Sequence, residues 1–449
     1  MKLDNFFLIV KNHYLQIKSG GIIILLKKII SLFLLVLKIP IYIFSIPLVI
    51  IIRLISPFYL IRWQQIHSSR IGHFSKETEI LYCELKLGIN VPSQKHLNLF
   101  FFHRHISNKQ LAKMWKRNLN VLPRFLLHPL SRINSIMNIM FSDKNRHSIK
   151  KIYKGLPRNL TRDVYNVLKR CDPGINFNDE EEEKGRILLL ELGLRPVDKF
   201  VCLAIRDSKF FSLRTSIGRD YSYHDYRNGE LKKFILASEE LTKLGYFVIR
   251  MGVDVLEPIK SNNSMIIDYA NSSIRSEFMD IYLASKCSFG VTTDFGLDEV
   301  MAASFRRPIV YIGVAPIGGV QVGNKNSLMI FKEHIDINTN KKLSISEIFD
   351  RKLSVAYYSK MFSENNVRLV HNSPEEIKDA VIEMDKKLKG TWNETEEEKI
   401  LQNNFWDNFR KNCKKKDFQD YEKRQGILHS EFESKVSSKF LKKNQYLLN

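Results

Sequence analysis

Residues 200–318 decide the predicted fold; they include FVCLAIRDSKFF (Phe200–Phe211), GYFVIRMG (Gly245–Gly252) and SMIIDYANSSIRSEFMDIYLASKCSFGVTTDFGLDEVMAASFRRPIVYIGVAPIG (Ser264–Gly318). Short apolar runs alternate here with segments of helical periodicity. The apolar runs are Phe200–Ile205, Tyr246–Ile249, Met265–Ile267, Cys287–Val291 and Ile309–Ile312, and the helical segments are Leu231–Leu244, Glu277–Ser285 and Leu297–Phe305. Buried strands of this length separated by helices predict an α/β domain with a parallel, doubly wound sheet.

Polar side chains follow these predicted strands at their carboxyl ends, where parallel α/β sheets bind ligands. They are Arg206, Asp207, Arg250, Asp268, Thr293 and Asp294, and Gly296 lies in the same loop as the last two. Arginine suits bidentate contact with a phosphate. The loop 292–296 precedes a helix predicted to begin near Leu297, whose unpaired N–H groups would favour an anion. The alternative is structural: a plain helix cap and an ion pair between Arg206 and Asp207.

Two further loops are candidates for the same site. Ser272 and Arg275 precede a helix and could hold a nucleotide or a phosphate, with Ser276 as the predicted cap. The polar loop His224–Asn228 could close over the ligand. The alternative for both is that they carry ordinary surface and capping groups.

Several common catalytic motifs do not occur in the sequence. There is no Gly-x-x-x-x-Gly-Lys-Ser/Thr, no Gly-x-Gly-x-x-Gly after a strand, no His-Glu-x-x-His, no Asp-x-Asp and no Gly-x-Ser-x-Gly. This argues against a P-loop, a dinucleotide-binding fold of the usual kind, metal-dependent hydrolysis and a serine nucleophile. We therefore expect neither a bound metal nor a cofactor.

The composition indicates partners that carry negative charge. The chain has 449 residues, enough for two domains and an appendage, and its formal net charge is +22. Acidic lipid and phosphorylated ligands fit this charge. Nucleic acid fits less well, because the basic residues are scattered and no recognition motif accompanies them. The five cysteines are scattered without metal-ligand spacing, which favours a reducing, cytoplasmic compartment.

Residues 1–65 form a predicted membrane-associated segment. The longest uncharged run, Ile39–Ile52, is shorter than the roughly 20 residues that a span needs. Pro40 and Pro47 interrupt it, and Trp63 supplies an aromatic edge suited to the headgroup level. We expect a helix or broken hairpin lying in one leaflet. A single span and a buried soluble helix are the alternatives.

The segment after residue 65 becomes globular. Gly72 and His73 are predicted to lie in a turn before a helix capped by Ser75, His96–Phe102 is a predicted strand, and Ile106–Arg117 is a predicted helix capped by Ser107 or Asn108. The predicted domains are 66–195 and 196–390, followed by a charged helical tail at 391–449. His73 could serve as a general base, because histidine titrates near neutral pH. A loop histidine without function is the alternative.

The motifs at these positions resemble those of a family of bacterial glycosyltransferases. They read Ala204-Ile-Arg-Asp207, Arg250-Met-Gly252, Ile267-Asp-Tyr-Ala270, Arg275-Ser-Glu-Phe-Met-Asp280 and Thr293-Asp-Phe-Gly296, with Arg70–His73 and Ile106–Asn108 upstream. The resemblance covers about residues 68–390. Two positions depart from the family pattern: Ala204 stands where many relatives have His, and Phe295 replaces a Ser.

The resemblance implies a GT-B-like fold, with two Rossmann-like domains, a cleft between them and fucosyltransferase-like features in the second domain. It implies metal-independent transfer of a sugar from a nucleotide-sugar donor to a glycan or glycolipid acceptor, in cell-surface polysaccharide synthesis. Arg206 would meet the donor diphosphate, Thr293 and Gly296 would form its loop, and His73 would face the acceptor. The expected location is the cytoplasmic face of the cell membrane, with other assembly enzymes as partners. The alternative is an inactive, membrane-tethered scaffold of an assembly complex.

Overall fold

A large parallel sheet forms the core of the C-terminal half. The structure, a computed structural model, describes residues 13–14, 16–17, 21–26, 28–30, 33, 36, 39–141, 146–149, 152–153, 156–157, 163–209, 222–319, 324–413 and 433–448. The strands of this sheet are β5 (Lys199–Ala204), β6 (Tyr246–Met251), β7 (Ile266–Ile267), β8 (Phe289–Thr292), β9 (Ile309–Val314), β10 (Ser327–Phe331) and β13 (Lys435–Val436). Their order is β13-β10-β9-β8-β5-β6-β7, and every pairing is parallel. The predicted doubly wound sheet is confirmed.

The strands and most helices lie where the hydrophobic pattern predicts them. Residues 201–204 and 309–314 are buried throughout, which explains why these strands read as continuous apolar runs. The helices around this sheet are Asp179–Glu191, Ile235–Lys243, Glu277–Lys286, Ile345–Asp350, Ser359–Glu364 and Pro374–Leu388. The predicted helical segment Leu297–Phe305 is helical over residues 298–304, and its part Val300–Ser304 is π-helical.

The N-terminal half contains a smaller parallel pair. Strands β1 (Leu60–Ile66) and β2 (His96–Phe102) pair in parallel, and isolated bridges extend them at Ser148 and Val121. Elsewhere in the chain, two short antiparallel pairs form, β3 (Ile152–Tyr153) with β4 (Leu156–Pro157) and β11 (Glu333–Asp336) with β12 (Val367–Val370). Helices α1 (Ile39–Ile55), α2 (Ile71–Lys86), α3 (Lys109–Asn118) and α4 (Arg124–Met140) surround the pair. Asn108 caps α3 by accepting a hydrogen bond from Leu111 N, as predicted. Among the described residues this sheet is much smaller than that of a full Rossmann-like domain.

The C-terminal tail completes the large sheet. Helix Glu396–Cys413 packs Phe405 against Phe331 of β10, with ring centroids 5.3 Å apart. Strand β13 then adds an edge to β10, and helix Ser438–Lys443 follows it. The predicted charged helical tail therefore also supplies a strand and core aromatic residues.

Helix α2 joins the two halves. It begins at Ile71, so Gly72 and His73 lie in its first turn, and the predicted N-cap at Ser75 is wrong. Ser75 instead lies inside the helix and is buried against the C-terminal half. Its Oγ donates to Glu299 O at 3.0 Å and lies 2.6 Å from Ser304 Oγ. Two ion pairs support this contact: Lys76 with Glu299, at 3.0 Å, and Arg306 with the buried Glu79, at 2.8 Å.

Helix α1 packs against α4. Arg53 donates to Asn134 Oδ1 and Asn138 Oδ1 at 2.9 and 2.8 Å. Most other side chains of α1 are exposed and apolar, including Phe44 and Leu54. None of the described helices combines the length and the apolar character that crossing a bilayer requires. Lys27 and Lys38 of the predicted membrane segment lie outside the described residues.

Candidate active site

Two of the predicted site residues, Arg206 and Thr293, meet where the strand order of the large sheet reverses. The chain passes from β5 to β6 on one side and later returns to β8 on the other side, so β5 and β8 flank the switch point. Arg206 follows β5 and Thr293 follows β8. Arg206 N donates to Thr293 Oγ1 at 2.9 Å, and Thr293 N donates to Ala204 O at 3.2 Å. Ligands of open α/β sheets bind at this position.

Two guanidinium groups give this point its charge. The Arg206 side chain is buried, and both burial and the neighbouring Arg227 lower its pKa to about 10. Arg227 donates to Asp294 Oδ2 at 2.8 Å and to Asp294 O at 2.6 Å. Burial lowers the pKa of Arg227, but Asp294, Tyr226 and Asp298 together outweigh this and raise it. Two guanidinium groups therefore lie at one point, with the Asp294 carboxylate paired to Arg227, and guanidinium groups bind phosphates.

The histidine beside these groups, His224, responds to the positive charge of the nearby arginines. Burial and the charges of Arg227, Arg206 and Arg70 together lower the pKa of His224 to about 4. Arg70 belongs to the N-terminal half and directly precedes α2. His224 Nδ1 is buried and has no hydrogen-bond partner among the described residues. Arginines of both halves therefore act on one point, which attracts anions.

The backbones of the two halves touch next to this cluster. A Cβ placed on Gly72 would lie 3.1 Å from Gly296 Cα and 3.2 Å from Gly296 O. A Cβ placed on Gly296 would lie 3.2 Å from Gly72 N. Only glycine at both positions permits this approach without a shift. The contact places His73, the next residue on α2, beside the loop that carries Asp294.

His73 belongs to a compact group with Glu77 and His67. His73 Nδ1 lies 2.5 Å from Glu77 Oε1, and His67 Nδ1 lies 3.7 Å from Glu77 Oε2. The two imidazole rings stack with centroids 4.6 Å apart. Ligand atoms of the three residues all lie within 4.8 Å of one another, so the group has a composition that could also hold a divalent metal.

The predicted residues Arg250, Asp207 and Asp268 form a separate cluster. The buried Arg250 lies 4.0 Å from Asp207 and 3.6 Å from Asp268. Both carboxylates also accept backbone N–H groups, Asp207 from Leu256 at 2.9 Å and Asp268 from Ile259 at 3.1 Å. These contacts hold the loop 253–260 at the edge of the sheet. A ligand at this cluster would have to share side chains that already form ion pairs and hydrogen bonds within the fold.

Ser272 and Arg275 are also engaged within the chain. Ser272 Oγ accepts from Ile274 N at 3.3 Å. Arg275 pairs with Asp280 at 2.8 Å, and its side chain remains 25% exposed, which leaves room for a second partner. Burial raises the pKa of Asp280 to about 6, although Arg275 works against this. Ser276 caps the helix as predicted, accepting from Met279 N.

The loop 292–296 differs from the predicted anion-binding helix start. Asp298 is buried and accepts from Phe295 N at 3.0 Å, so this N–H group is already bonded to a side-chain carboxyl oxygen. Burial raises the pKa of Asp298 well above its usual range. Asp294 adopts a left-handed backbone conformation, with φ of 59°. The positive charge at the site therefore comes from arginine side chains rather than from a helix terminus.

Sequence reasoning left three important residues out of the predicted site. Arg227 was noticed only as part of a polar loop, and its approach to Asp294, 67 positions away, has no local signal. Glu77 and His67 were not predicted at all. The spacing of His73 and Glu77, four residues apart on a helix, could have indicated their contact.

Comparisons with known proteins give few relatives. No protein-family model matches the chain, and no curated protein sequence matches it. Among solved structures, the glycosyl transferase family 9 protein from Veillonella parvula DSM 2008 is 14% identical and has a TM-score of 0.35, over 57% of this chain and 80% of that one. E. coli ADP-heptose lps heptosyltransferase II is 15% identical with a TM-score of 0.29, over 56% and 84%.

The third structure is the E. coli heptosyltransferase WaaC with ADP-2-deoxy-2-fluoro heptose. It is 10% identical with a TM-score of 0.26, over 60% of this chain and 93% of that one. All three TM-scores are below 0.5, and the fucosyltransferase-like features remain a prediction.

Proposed function

We propose that the protein is a glycosyltransferase that moves a sugar from a nucleotide-sugar donor to a glycan acceptor. The observation that carries the proposal is the pair Arg206 and Arg227 at the switch point of a parallel sheet, beside the contact between Gly72 and Gly296. A donor diphosphate fits this position in charge, and His73 lies on the other side of the contact.

The donor diphosphate lies against Arg206 and Arg227. As the bond between the sugar and the phosphate breaks, negative charge develops on the leaving diphosphate, and fixed guanidinium groups stabilise it. Thr293 positions the backbone of Arg206, and Gly296 lets the donor approach closely. In this proposal Asp207, Arg250, Asp268, Ser272, Arg275 and Asp294 shape the surrounding nucleotide and sugar pocket.

His73 acts on the acceptor. The acceptor hydroxyl oxygen forms a bond to the anomeric carbon, the bond from that carbon to the diphosphate oxygen breaks with its electron pair, and the hydroxyl proton passes to the imidazole. The transfer involves no change of oxidation state. Because arginines supply the positive charge, we propose that the transfer needs no cofactor and no metal ion.

The apolar surface of α1 and α4 supports a membrane location. Residues 39–141 contain thirteen Lys and Arg residues but only three acidic ones, Glu77, Glu79 and Glu84. Glu79 and Glu84 are fully buried, and the Glu77 side chain is only 14% exposed. An apolar face on a strongly basic unit fits the surface of an anionic bilayer. We propose a lipid-linked acceptor at the cytoplasmic face of the cell membrane, in polysaccharide synthesis.

The alternative is a scaffold that binds no donor or does not turn it over. The specific observation in its favour is that Arg227 already forms an ion pair with Asp294. A transfer assay on detergent-purified protein, with UDP-, GDP- and CMP-sugars and a membrane lipid extract as acceptor, separates the two. Transfer that His73→Ala and Arg206→Ala abolish supports the enzyme; nucleotide binding without turnover favours the scaffold.

A further inference from the structure

We propose that Glu77 is a positioning residue that holds His73 with its Nδ1 protonated, so that Nε2 is the nitrogen that accepts the acceptor proton. The inference rests on the proposed function for the role of His73. Glu77 lies outside the predicted site, and its contact determines which imidazole nitrogen of His73 accepts the proton.

The geometry defines the tautomer. His73 and Glu77 lie one turn apart on α2, and the 2.5 Å contact joins Nδ1 to Glu77 Oε1. A carboxylate only accepts hydrogen bonds, so the proton of this bond belongs on Nδ1. Nε2 of His73 has no hydrogen-bond partner among the described residues, and the side chain is 33% exposed. A neutral imidazole with Nδ1–H keeps a lone pair on Nε2, which is what a general base requires.

Glu77 is held in the form that this role needs. Burial of the carboxyl would raise its pKa, but hydrogen bonds with His67 and His73 lower the pKa of Glu77 to about 2. It is therefore ionised at any pH at which the protein would work. The stacking of His67 on His73 also restricts the rotation of the His73 ring. A negative charge beside Nδ1 stabilises the imidazolium that forms when Nε2 takes a proton.

The same three residues could also suggest a metal site, and the distance argues against it. Two ligands bound tetrahedrally to one Zn²⁺ at about 2.05 Å each lie about 3.3 Å apart. His73 Nδ1 and Glu77 Oε1 are closer than that, at 2.5 Å. This separation is that of a charge-assisted hydrogen bond. The contact therefore favours a shared proton over a shared metal ion.

Other charged groups surround the pair. His67 follows β1, and burial, Arg124 and His67 lower the pKa of His103, which follows β2. Arg70 and Lys76 lie on or beside α2, and Glu299 faces Gly72 from the other half, with its Cγ 3.6 Å from a Cβ built on Gly72. Within the part of the chain that the structure describes, Glu77 is the residue that forms a hydrogen bond with Nδ1 of His73, so its removal should affect that ring most.

The direct test is NMR on protein labelled with ¹⁵N-histidine, with His73 assigned from a His73→Gln variant. Long-range ¹H–¹⁵N spectra report which ring nitrogen carries the proton, with or without activity. We expect a protonated Nδ1 in the wild type. In Glu77→Gln the side-chain amide can donate to Nδ1, which moves the proton to Nε2. A wild-type His73 protonated on Nε2, or a tautomer that Glu77→Gln leaves unchanged, overturns the proposal.

The second test is kinetic. Glu77→Gln should lower kcat about 100-fold with little change in acceptor KM. Glu180→Gln, which removes an exposed carboxylate in the helix Asp179–Glu191, should change neither. Calorimetry with the donor nucleotide shows whether the variant keeps the proposed donor site. A failure of the proposed role of Glu77 can therefore be told apart from a failure of the proposed function. Activity that is lost on chelation and restored by Zn²⁺ would instead identify a metal site and contradict the pair.

Discussion

Gly72 and Gly296 bring the two halves of the chain into backbone contact, so the first turn of α2 and the loop after β8 share one site. Neither position has room for a side chain, because the atoms that a Cβ would meet belong mainly to the opposing backbone. This contact brings His73 to the loop of Asp294 and, through it, to Arg227.

Gly72→Ala should therefore damage the site more than the fold. Forcing a methyl group against backbone at 3.1 Å should cost about 1–3 kcal/mol of stability, and the shift that relieves it separates His73 from the donor loop. We expect at least a tenfold loss of transfer, with the variant still folded by thermal unfolding. Gly319→Ala is the control, because its Cβ would meet Pro316 at an ordinary 3.9 Å. Equal activity of the two variants would contradict a shared site.

Asp294→Asn should strengthen binding of a nucleotide diphosphate. The substitution removes the carboxylate next to Arg227, while the backbone O of Asp294 still accepts from that guanidinium. Asn tolerates the left-handed conformation at this position, so the loop should persist. We expect binding several-fold tighter at low salt and a steeper loss of affinity as salt rises. Unchanged or weaker binding would show that Asp294 does not oppose the ligand charge.

Much of the fold could be predicted because its strands are buried on both faces. The runs at 200–205 and 309–312 are apolar throughout for that reason, and Asn108 caps its helix through a bond three residues away. Ser75 was misread as a cap because its partner Ser304 lies 229 positions further along the chain. Arg227 was missed for the same physical reason, since its role depends on a tertiary contact with Asp294.

Lys332 should make stability depend on pH. Its Nζ donates to Tyr226 O and Asn228 O at 2.7 and 2.8 Å, which holds the loop of Arg227, and burial lowers its pKa from 10.5 to about 7. Between these pH values the unfolded chain binds the proton and the folded protein does not. The free energy of unfolding should therefore rise with pH across this window, by up to about 1.4 kcal/mol per pH unit.

The measurement is urea unfolding of the wild type and Lys332→Met from pH 7 to 9. The wild type should gain stability relative to the variant as pH rises. Lys232→Met, at a side chain that is 82% exposed, should show no such trend. A constant difference between the wild type and Lys332→Met would mean that Lys332 keeps its proton in the folded protein.

Helix α4 should take part in membrane binding together with α1. Phe125 and Ile139 are 65% and 82% exposed, and burying one such side chain in lipid contributes about 1.5–3 kcal/mol. Phe125→Glu or Ile139→Glu should lower cosedimentation with phosphatidylglycerol vesicles at least tenfold. Ile400→Glu, which alters an exposed apolar residue of the C-terminal half, is the control. Equal vesicle binding by all three variants would show that α4 does not contribute to membrane binding.

The most direct test of the central claim is nucleotide binding at the arginine pair. Calorimetry on the detergent-purified protein with UDP, GDP and CMP, each with its sugars, should find one nucleotide that binds with a Kd of about 1–100 μM. Arg206→Ala should lose at least about 2 kcal/mol of that binding, since a charged hydrogen bond to phosphate contributes roughly this amount. If the folded wild type binds none of them, or Arg206→Ala binds as well as the wild type, the donor site is not at Arg206 and Arg227.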